Sequence, residues 1–102
     1  MLVSAINTVE IRAAQGRASE VGVRLSRMLD VLNSSTPCTA YTLTSCQHDD
    51  CAWIVSGYWP SEAQMQAHFS HPELNGFMAL LNSGAISQIQ FNSFTVEQKA
   101  VA

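Results

Sequence analysis

Charged residues are scarce in this sequence, and positive charge is scarcest. Lysine and arginine together number 5 against 8 acidic residues, giving a net charge of −3. The arginines all lie between Arg12 and Arg27, so they cannot form the basic stripe that nucleic-acid binding needs. The weakly acidic balance also argues against anionic membranes. We therefore expect neither nucleic acid nor a membrane as a partner.

Long apolar runs are also missing, and cysteines are few. The start of the chain lacks the basic and apolar segments of a signal peptide, so we expect a cytoplasmic protein with no membrane span. The 3 cysteines, Cys38, Cys46 and Cys51, lack the short spacing of a metal motif. Reduced thiols are expected in the cytoplasm. The alternative is a cross-strand disulfide between Cys46 and Cys51, which flank a predicted turn.

Apolar residues, in contrast, are abundant for a chain of this size. They make up 47% of 102 residues, a length that predicts one domain over residues 1–102. We expect a core over about 2–95 and a C-terminal tail over 96–102. A small domain exposes a large share of its surface, which favours a homodimer that covers some of this apolar area.

The hydrophobic pattern predicts four strands and two helical regions. Strands are expected at about 2–13, 38–46, 51–59 and 85–95, and helices at about 17–33, 62–70 and 73–82. The last two helices are interrupted at His71-Pro72. The order β-α-β-β-α-β predicts a ferredoxin-like α+β fold, in which a four-stranded antiparallel sheet carries helices on one face. The open face, with Leu2 and Ile6, would pack against a second subunit.

Two helix patterns are specific enough to test. The first helix is expected to bury a stripe, and the last to place four residues on one face. The stripe is Ala18, Val21, Leu25, Met28, Leu29 and Leu32, and the last face is Leu74, Phe77, Met78 and Leu81. Ser61 is expected to cap the helix that follows it.

Polar residues that could carry chemistry are Asn7 and His68. Asn7 lies in the middle of the apolar face of the first strand, where it could hold a substrate hydroxyl or stabilise an oxyanion. His68 could be a general base, because the pKa of imidazole lies near neutrality. The alternatives are a backbone hydrogen bond for Asn7 and a backbone carbonyl at a helix end for His68. His48 and His71 are expected to be solvated, and no metal site is predicted.

A family resemblance is carried by Trp59-Pro-Ser61, Ala63, Ala67-His68-Phe69 and residues 70–74 leading into Phe77. With the strand order, these residues resemble the antibiotic biosynthesis monooxygenase family of dimeric α/β barrels over about residues 3–94. The resemblance implies a pocket between sheet and helices. Family members include cofactor-independent oxygenases that turn phenols or quinols into quinones, haem-degrading enzymes, an isomerase and proteins without a known role.

Residues of known family sites are only partly present. The Asn-Trp-Tyr set of the polyketide-oxidising members would fall at Val55, Trp59 and Met65, so only the Trp matches. Asn7 stands near the strand-one Asn of the haem-degrading members. Their Trp and His fall near His68 and Met78, which argues against haem degradation.

The resemblance therefore implies a cofactor-free monooxygenase for a small aromatic phenol or quinol. His68, which matches a histidine common in quinol-oxidising members, and Asn7 would be catalytic. The substrate-binding residues would be Trp59, Tyr41, Trp53 and Phe77, with no cofactor and no metal. These aromatics could instead serve the core or the dimer interface. The alternative function is a non-catalytic small-ligand-binding or stress-related protein of the same fold.

Overall fold

The computed structural model describes residues 3–35, 38 and 40–97, with the backbone alone at residue 50. The elements are β1 Ala5–Ala13, α1 Ala18–Ser35, β2 Ala40–Cys46, β3 Asp49–Trp59, α2 Glu62–His68, a 3₁₀ turn Pro72–Leu74, α3 Asn75–Asn82 and β4 Ile86–Thr95. This order confirms the ferredoxin-like prediction. Leu2 and residues 98–102 of the predicted tail lie outside the described residues.

The sheet is antiparallel, in the order β2-β3-β1-β4, so β1 is a central strand. Side chains along β1 alternate strictly, and the buried ones lie on the helix side: Ala5, Asn7, Val9, Ile11 and Ala13. Alternation with one covered face is what the sequence predicted. The predicted arrangement of helices on one face of a four-stranded antiparallel sheet is confirmed.

Helix α1 begins after Gly16, whose φ of 79° is in the left-handed region that glycine tolerates. The predicted stripe is buried at all but its first position, Ala18, which is half-buried. Its buried members are Val21, Leu25, Met28, Leu29 and Leu32. Burying each large aliphatic side chain contributes about 2 kcal/mol before entropy is counted, so this stripe anchors the helix to the sheet.

The helical region after β3 is divided into separate pieces. The Ser61 hydroxyl accepts a hydrogen bond from the Gln64 backbone N–H at 3.1 Å and so begins α2, as predicted. Helix α2 ends at His68, two residues earlier than expected. His71 is extended, with ψ of 131°, because it precedes Pro72. His68 is therefore held at the end of a short helix that packs on β1.

The face predicted for α3 is partly wrong. Phe77 and Leu80 are buried, whereas Met78 is 45% exposed. The 3₁₀ turn before Asn75 has about 3 residues per turn rather than 3.6. The helical phase is consequently reset, and it cannot be extrapolated from Leu74 through the turn.

The β2–β3 hairpin has a shorter turn than predicted. β2 begins at Ala40 and β3 already at Asp49, so only Gln47 and His48 form the turn. Asp49 pairs with Cys46 of β2, and its carboxylate meets Arg12 of β1 at 2.6 Å. All three cysteines lie in the described part of the chain, and none is in a disulfide.

The face of the sheet away from the helices keeps apolar side chains in contact with solvent. Ile54 of β3 is 40% exposed and Phe94 of β4 is 52% exposed, while Ile6 and Tyr58 are half-buried. None of the helices among the described residues has both the length and the apolar character to cross a membrane.

Candidate functional site

Three side chains of the site are set by strand register. Asn7 of β1 lies opposite Gly57 of β3, and Gly57 lies opposite Tyr41 of β2. Because Gly57 has no side chain, the outer two meet above it. The Asn7 Nδ2 group donates to the Tyr41 hydroxyl at 3.0 Å. A Cβ at Gly57 would overlap Asn7 Oδ1 and lie 2.7 Å from Tyr41 Cζ.

Trp59 fixes the orientation of the Asn7 amide. The indole Nε1 of Trp59 lies 2.7 Å from Asn7 Oδ1. An indole N–H can only donate, so the oxygen of the amide must face Trp59 and the nitrogen must face Tyr41. Asn7 and Trp59 are 4% and 0% exposed. The backbone hydrogen bond considered for Asn7 is therefore not the one found, because both of its partners are side chains.

His68 completes this group, which we call the Asn7 cluster: Asn7, Tyr41, Trp59 and His68. Its Nε2 atom lies 2.6 Å from the Tyr41 hydroxyl oxygen. That oxygen already accepts from Asn7, so the Tyr41 hydrogen is directed to Nε2. A weaker second acceptor is Asn7 Oδ1 at 3.5 Å. The backbone carbonyl partner considered for His68 is replaced by a tyrosine hydroxyl.

One atom of the cluster is buried without a partner. His68 Nδ1 has no hydrogen-bond partner in the described part of the protein. When Nε2 accepts the Tyr41 hydrogen, a neutral imidazole must carry its own proton on Nδ1. A buried polar atom without a partner costs about 1–3 kcal/mol. Most buried polar groups in proteins are paired, and a role in catalysis or ligand binding is one explanation for an exception.

The titration of the cluster follows from its burial. Burial, with a smaller contribution from the adjacent His71 imidazole, lowers the pKa of His68 to about 4. The expected near-neutral pKa is therefore wrong. Burial raises the pKa of Tyr41 to about 12, with the hydrogen bond from Asn7 opposing the shift and the Cys38 thiol adding to it. Tyrosine and histidine are consequently both neutral at pH 7.

Ring packing holds the cluster rigid. The Trp59 and His68 ring centres are 4.7 Å apart, and Tyr41 meets Trp59 edge to face at 6.1 Å. Edge-to-face and offset arrangements are the favoured geometries of such rings. Each ring of the cluster therefore has both a hydrogen bond and an aromatic neighbour.

A cavity of about 350 Å³ adjoins the cluster, with Asn7 in its wall. It lies between β1, β4 and the segment that follows α2. The residues that line it are Asn7, Thr8, Val9, Phe69, Leu74, Phe91, Asn92 and Ser93. None of these described residues is charged. Phe69 and Phe91 are 46% and 55% exposed, so apolar surface is available to a ligand.

The predicted site residues divide into three groups. Asn7, His68, Trp59 and Tyr41 come together, although among them only Asn7 lines the cavity. Phe77 lies in the core and packs edge to face on Phe91 at 6.1 Å, so it supports the cavity wall from behind. Trp53 is apart, in a groove beside α1. It is six residues from Trp59, or about 20 Å along an extended strand.

Sequence reasoning missed several contributors. Gly57 gave no local signal, because its role depends on both neighbouring strands. Phe91 could have been found from the alternation of β4, which places it beside Val9. His71, expected to be solvated, is half-buried and accepts the Glu73 backbone N–H at Nδ1, 3.0 Å away. No set of three possible metal ligands occurs among the described residues.

Comparison with known proteins agrees with this architecture. The family model described as antibiotic biosynthesis monooxygenase matches residues 4–80. A Deinococcus radiodurans structure assigned to these monooxygenases has a TM-score of 0.80 at 12% identity, covering 96% of this chain and 97% of that one.

Two further structures show the same fold. A Pseudomonas aeruginosa protein has a TM-score of 0.78 at 17% identity, covering 96% and 98% of the two chains. A Nitrosomonas europaea protein of unknown function has a TM-score of 0.79 at 17% identity, covering 98% and 95%. No curated protein matches the sequence.

Proposed function

Because this chain belongs to the antibiotic biosynthesis monooxygenase family, we propose that it is a cofactor-independent monooxygenase acting on a small phenol or quinol. The observation that carries the proposal is the amide of Asn7, which is fixed by two buried partners and forms part of the cavity wall. The uncharged, aromatic wall suits a neutral aromatic ring. The site of action we propose is the cytoplasm.

Asn7 has the central role in this proposal. Its Nδ2 group carries two hydrogens, and one is donated to Tyr41. The other is available to an oxygen in the cavity. A fixed donor in an apolar cavity stabilises a developing phenolate, because the donor needs no reorganisation when charge appears. Trp59 contributes by preventing the amide from turning over.

His68 and Tyr41 contribute to the reaction indirectly, through their hydrogen bonds to each other and to Asn7. His68 was expected to remove the substrate proton directly, but an imidazole with a pKa of about 4 is a weak base at neutral pH. We assign it instead to accepting the Tyr41 hydrogen. This leaves the lone pairs of Tyr41 directed at Asn7. His68 thus acts on the substrate through Tyr41 and Asn7, and the phenol proton leaves to water.

The chemistry balances without a cofactor. The phenolate transfers one electron to O₂, which gives an aryloxyl radical and superoxide. These combine through a new C–O bond at a ring carbon that bears hydrogen, and protonation gives a hydroperoxide. Loss of the C–H proton then breaks the O–O bond and releases water. The sum is phenol plus O₂ giving quinone plus water.

We also propose that the protein is a homodimer formed through the open face of the sheet. Proteins of the family are typically small-ligand-binding homodimers, and Ile54 and Phe94 expose apolar surface on this face. The test is light scattering of Phe94→Glu, which should be monomeric. Val23→Glu, at an equally exposed position on α1, should remain a dimer. A monomeric wild type would refute this part of the proposal.

The second candidate function is non-catalytic binding of a small aromatic ligand, including a stress-related role. It is favoured by the low pKa of His68 and by the engagement of the Asn7, Tyr41 and Trp59 polar groups with one another. A cluster of this kind could serve to shape a rigid cavity. Binding would then occur without consumption of oxygen.

One experiment separates the two candidates. Oxygen consumption by metal-stripped protein would be followed with a panel of hydroquinones and naphthols. Asn7→Leu and His68→Gln would be measured beside Gln66→Ala, an exposed position on α2. Turnover lost in Asn7→Leu, reduced in His68→Gln and kept in the control supports the oxygenase. Binding without oxygen uptake above autoxidation supports the ligand-binding protein.

A further inference from the structure

We infer that Gly57 is a positioning residue of the site, because it leaves open the space in which the Asn7 amide meets the Tyr41 hydroxyl. Neither the family comparison nor the sequence pattern singles it out. The inference rests on the proposed function for the identity of the ligand. It does not rest on that function for the geometry.

The register explains why the middle strand matters. Neighbouring strands are about 4.8 Å apart, so Asn7 and Tyr41, two strands apart, are separated at their Cα atoms by about 10 Å. Their side chains nevertheless approach to 3.0 Å. A side chain at Gly57 would stand between them. The first atom of such a side chain would already overlap Asn7 Oδ1.

Backbone conformation does not account for this glycine. Its φ is not positive, unlike those of Gly16 and Gly84, so any residue could adopt the same φ and ψ. Strand stability does not account for it either, since a glycine inside a strand packs no side chain and weakens the strand. Its neighbours on the same face, Val55 and Trp59, carry fully buried side chains. Contact with the two polar side chains is what favours glycine here.

The consequence for the ligand follows from the amide. Asn7 has Trp59 on one side, Tyr41 on another and the cavity on a third. A Cβ at position 57 would push Oδ1 away from Trp59 and rotate the second N–H away from the cavity. Gly57 therefore acts on a ligand through Asn7 without touching it.

A double-mutant cycle tests this route. The dissociation constant of 1-naphthol would be measured for Gly57→Ala, Asn7→Ala and the double variant. Loss of one hydrogen bond to the ligand predicts about tenfold weaker binding for each single variant. The dissociation constant of the double variant should be within about twofold of that of Asn7→Ala. A roughly hundredfold loss of affinity in the double variant, as for independent effects, would overturn the inference.

The control Ser56→Ala changes the neighbouring residue on the opposite face and should bind 1-naphthol as the wild type does.

A ligand-free measurement separates this inference from the proposed function. If 1-naphthol does not bind the wild type, the indole N–H resonance of Trp59 still reports on its bond to Asn7. Movement of that resonance in Gly57→Ala toward its position in Asn7→Ala supports the inference. A resonance unchanged from wild type overturns it.

Failure of Gly57→Ala to fold is also informative. Asn7→Ala/Gly57→Ala removes the first overlap and vacates volume into which the Tyr41 ring can shift. A folded double variant beside an unfolded single variant supports contact with Asn7 as the reason for the glycine. If both are unfolded, Gly57 is required for packing of the sheet alone, and the inference is wrong.

Discussion

Acid should destabilise this protein through His68 before it protonates the Glu20 and Asp49 carboxylates. The folded pKa of about 4 lies below the unfolded value of about 6.5, so the unfolded chain takes up the proton first. Stability is therefore complete above about pH 6.5 and falls as the pH is lowered toward 4. Between pH 7 and 5 the linkage relation gives a loss of about 2 kcal/mol, which solvent screening would reduce to about 1–2 kcal/mol.

The measurement is urea denaturation at several pH values between 7 and 5. With a slope of about 2 kcal/mol per molar for urea, the midpoint of the wild type should fall by roughly 0.5–1 M. The hydrogen bond from Arg17 lowers the pKa of Glu20. The Cys51 backbone N–H and the Arg12 side chain lower the pKa of Asp49. These two carboxylates therefore titrate below the range of pH 5 to 7 that is measured.

The decisive comparison is with His68→Gln, which keeps an acceptor for the Tyr41 hydroxyl but cannot titrate. Its midpoint should be lower at every pH because packing on Trp59 is lost, but its change between pH 7 and 5 should be small. His48→Gln, in the exposed turn, should keep the wild-type slope. An unchanged slope in His68→Gln would refute burial of a neutral imidazole.

Three further predictions concern single side chains. The raised pKa of Tyr41 means that stability is intact below about pH 10 and is lost between about 10 and 12. The absorbance change of tyrosine ionisation near pH 12 should be absent from Tyr41→Phe. If it persists in that variant, it belongs to another group and the reasoning is wrong. Asn7→Leu leaves the Trp59 N–H buried and unpaired, which should cost about 1–3 kcal/mol. Thermal unfolding measures this loss, and an unmoved Trp59 indole resonance would contradict the hydrogen bond. Ser61→Ala should cost about 1 kcal/mol in urea unfolding through the lost cap of α2, and a loss indistinguishable from that of Gln66→Ala would contradict the cap.

Strand alternation and helix periodicity were sufficient to predict the fold. The apolar face of β1 and the stripe of α1 are local patterns, and each can be read within one element. The face of α3 was not predictable in this way, because the 3₁₀ turn that resets its phase depends on how His71-Pro72 is bent. Local periodicity carries no information across such a break.

The site shows a similar division. Asn7 and His68 were identifiable as polar residues in apolar surroundings, and Tyr41 was named as a substrate-binding residue, but the contact of Tyr41 with both was not predictable. That contact depends on the register of three strands. The low pKa of His68 depends on burial, which the sequence of α2 does not specify.

The family set of Asn, Trp and Tyr illustrates the same limit. Linear spacing leaves only Trp59 in place, with Val55 and Met65 at the other positions. In space, Trp59 is nevertheless hydrogen-bonded to Asn7, and Asn7 is hydrogen-bonded to Tyr41. The same three residue types meet from three strands, which spacing along one segment cannot reveal.

The cluster also bears on the order of events in folding. Two of its hydrogen bonds join residues 34 and 52 positions apart, and β1 and β2 must both pair with β3 before the three side chains can meet. Contacts so distant in sequence are slow to form, because the loop between them must first be closed. A ligand bound beside Asn7 recognises only the completed sheet. We therefore expect such a ligand to slow unfolding while leaving the folding rate unchanged, so that its binding prolongs the lifetime of the whole domain.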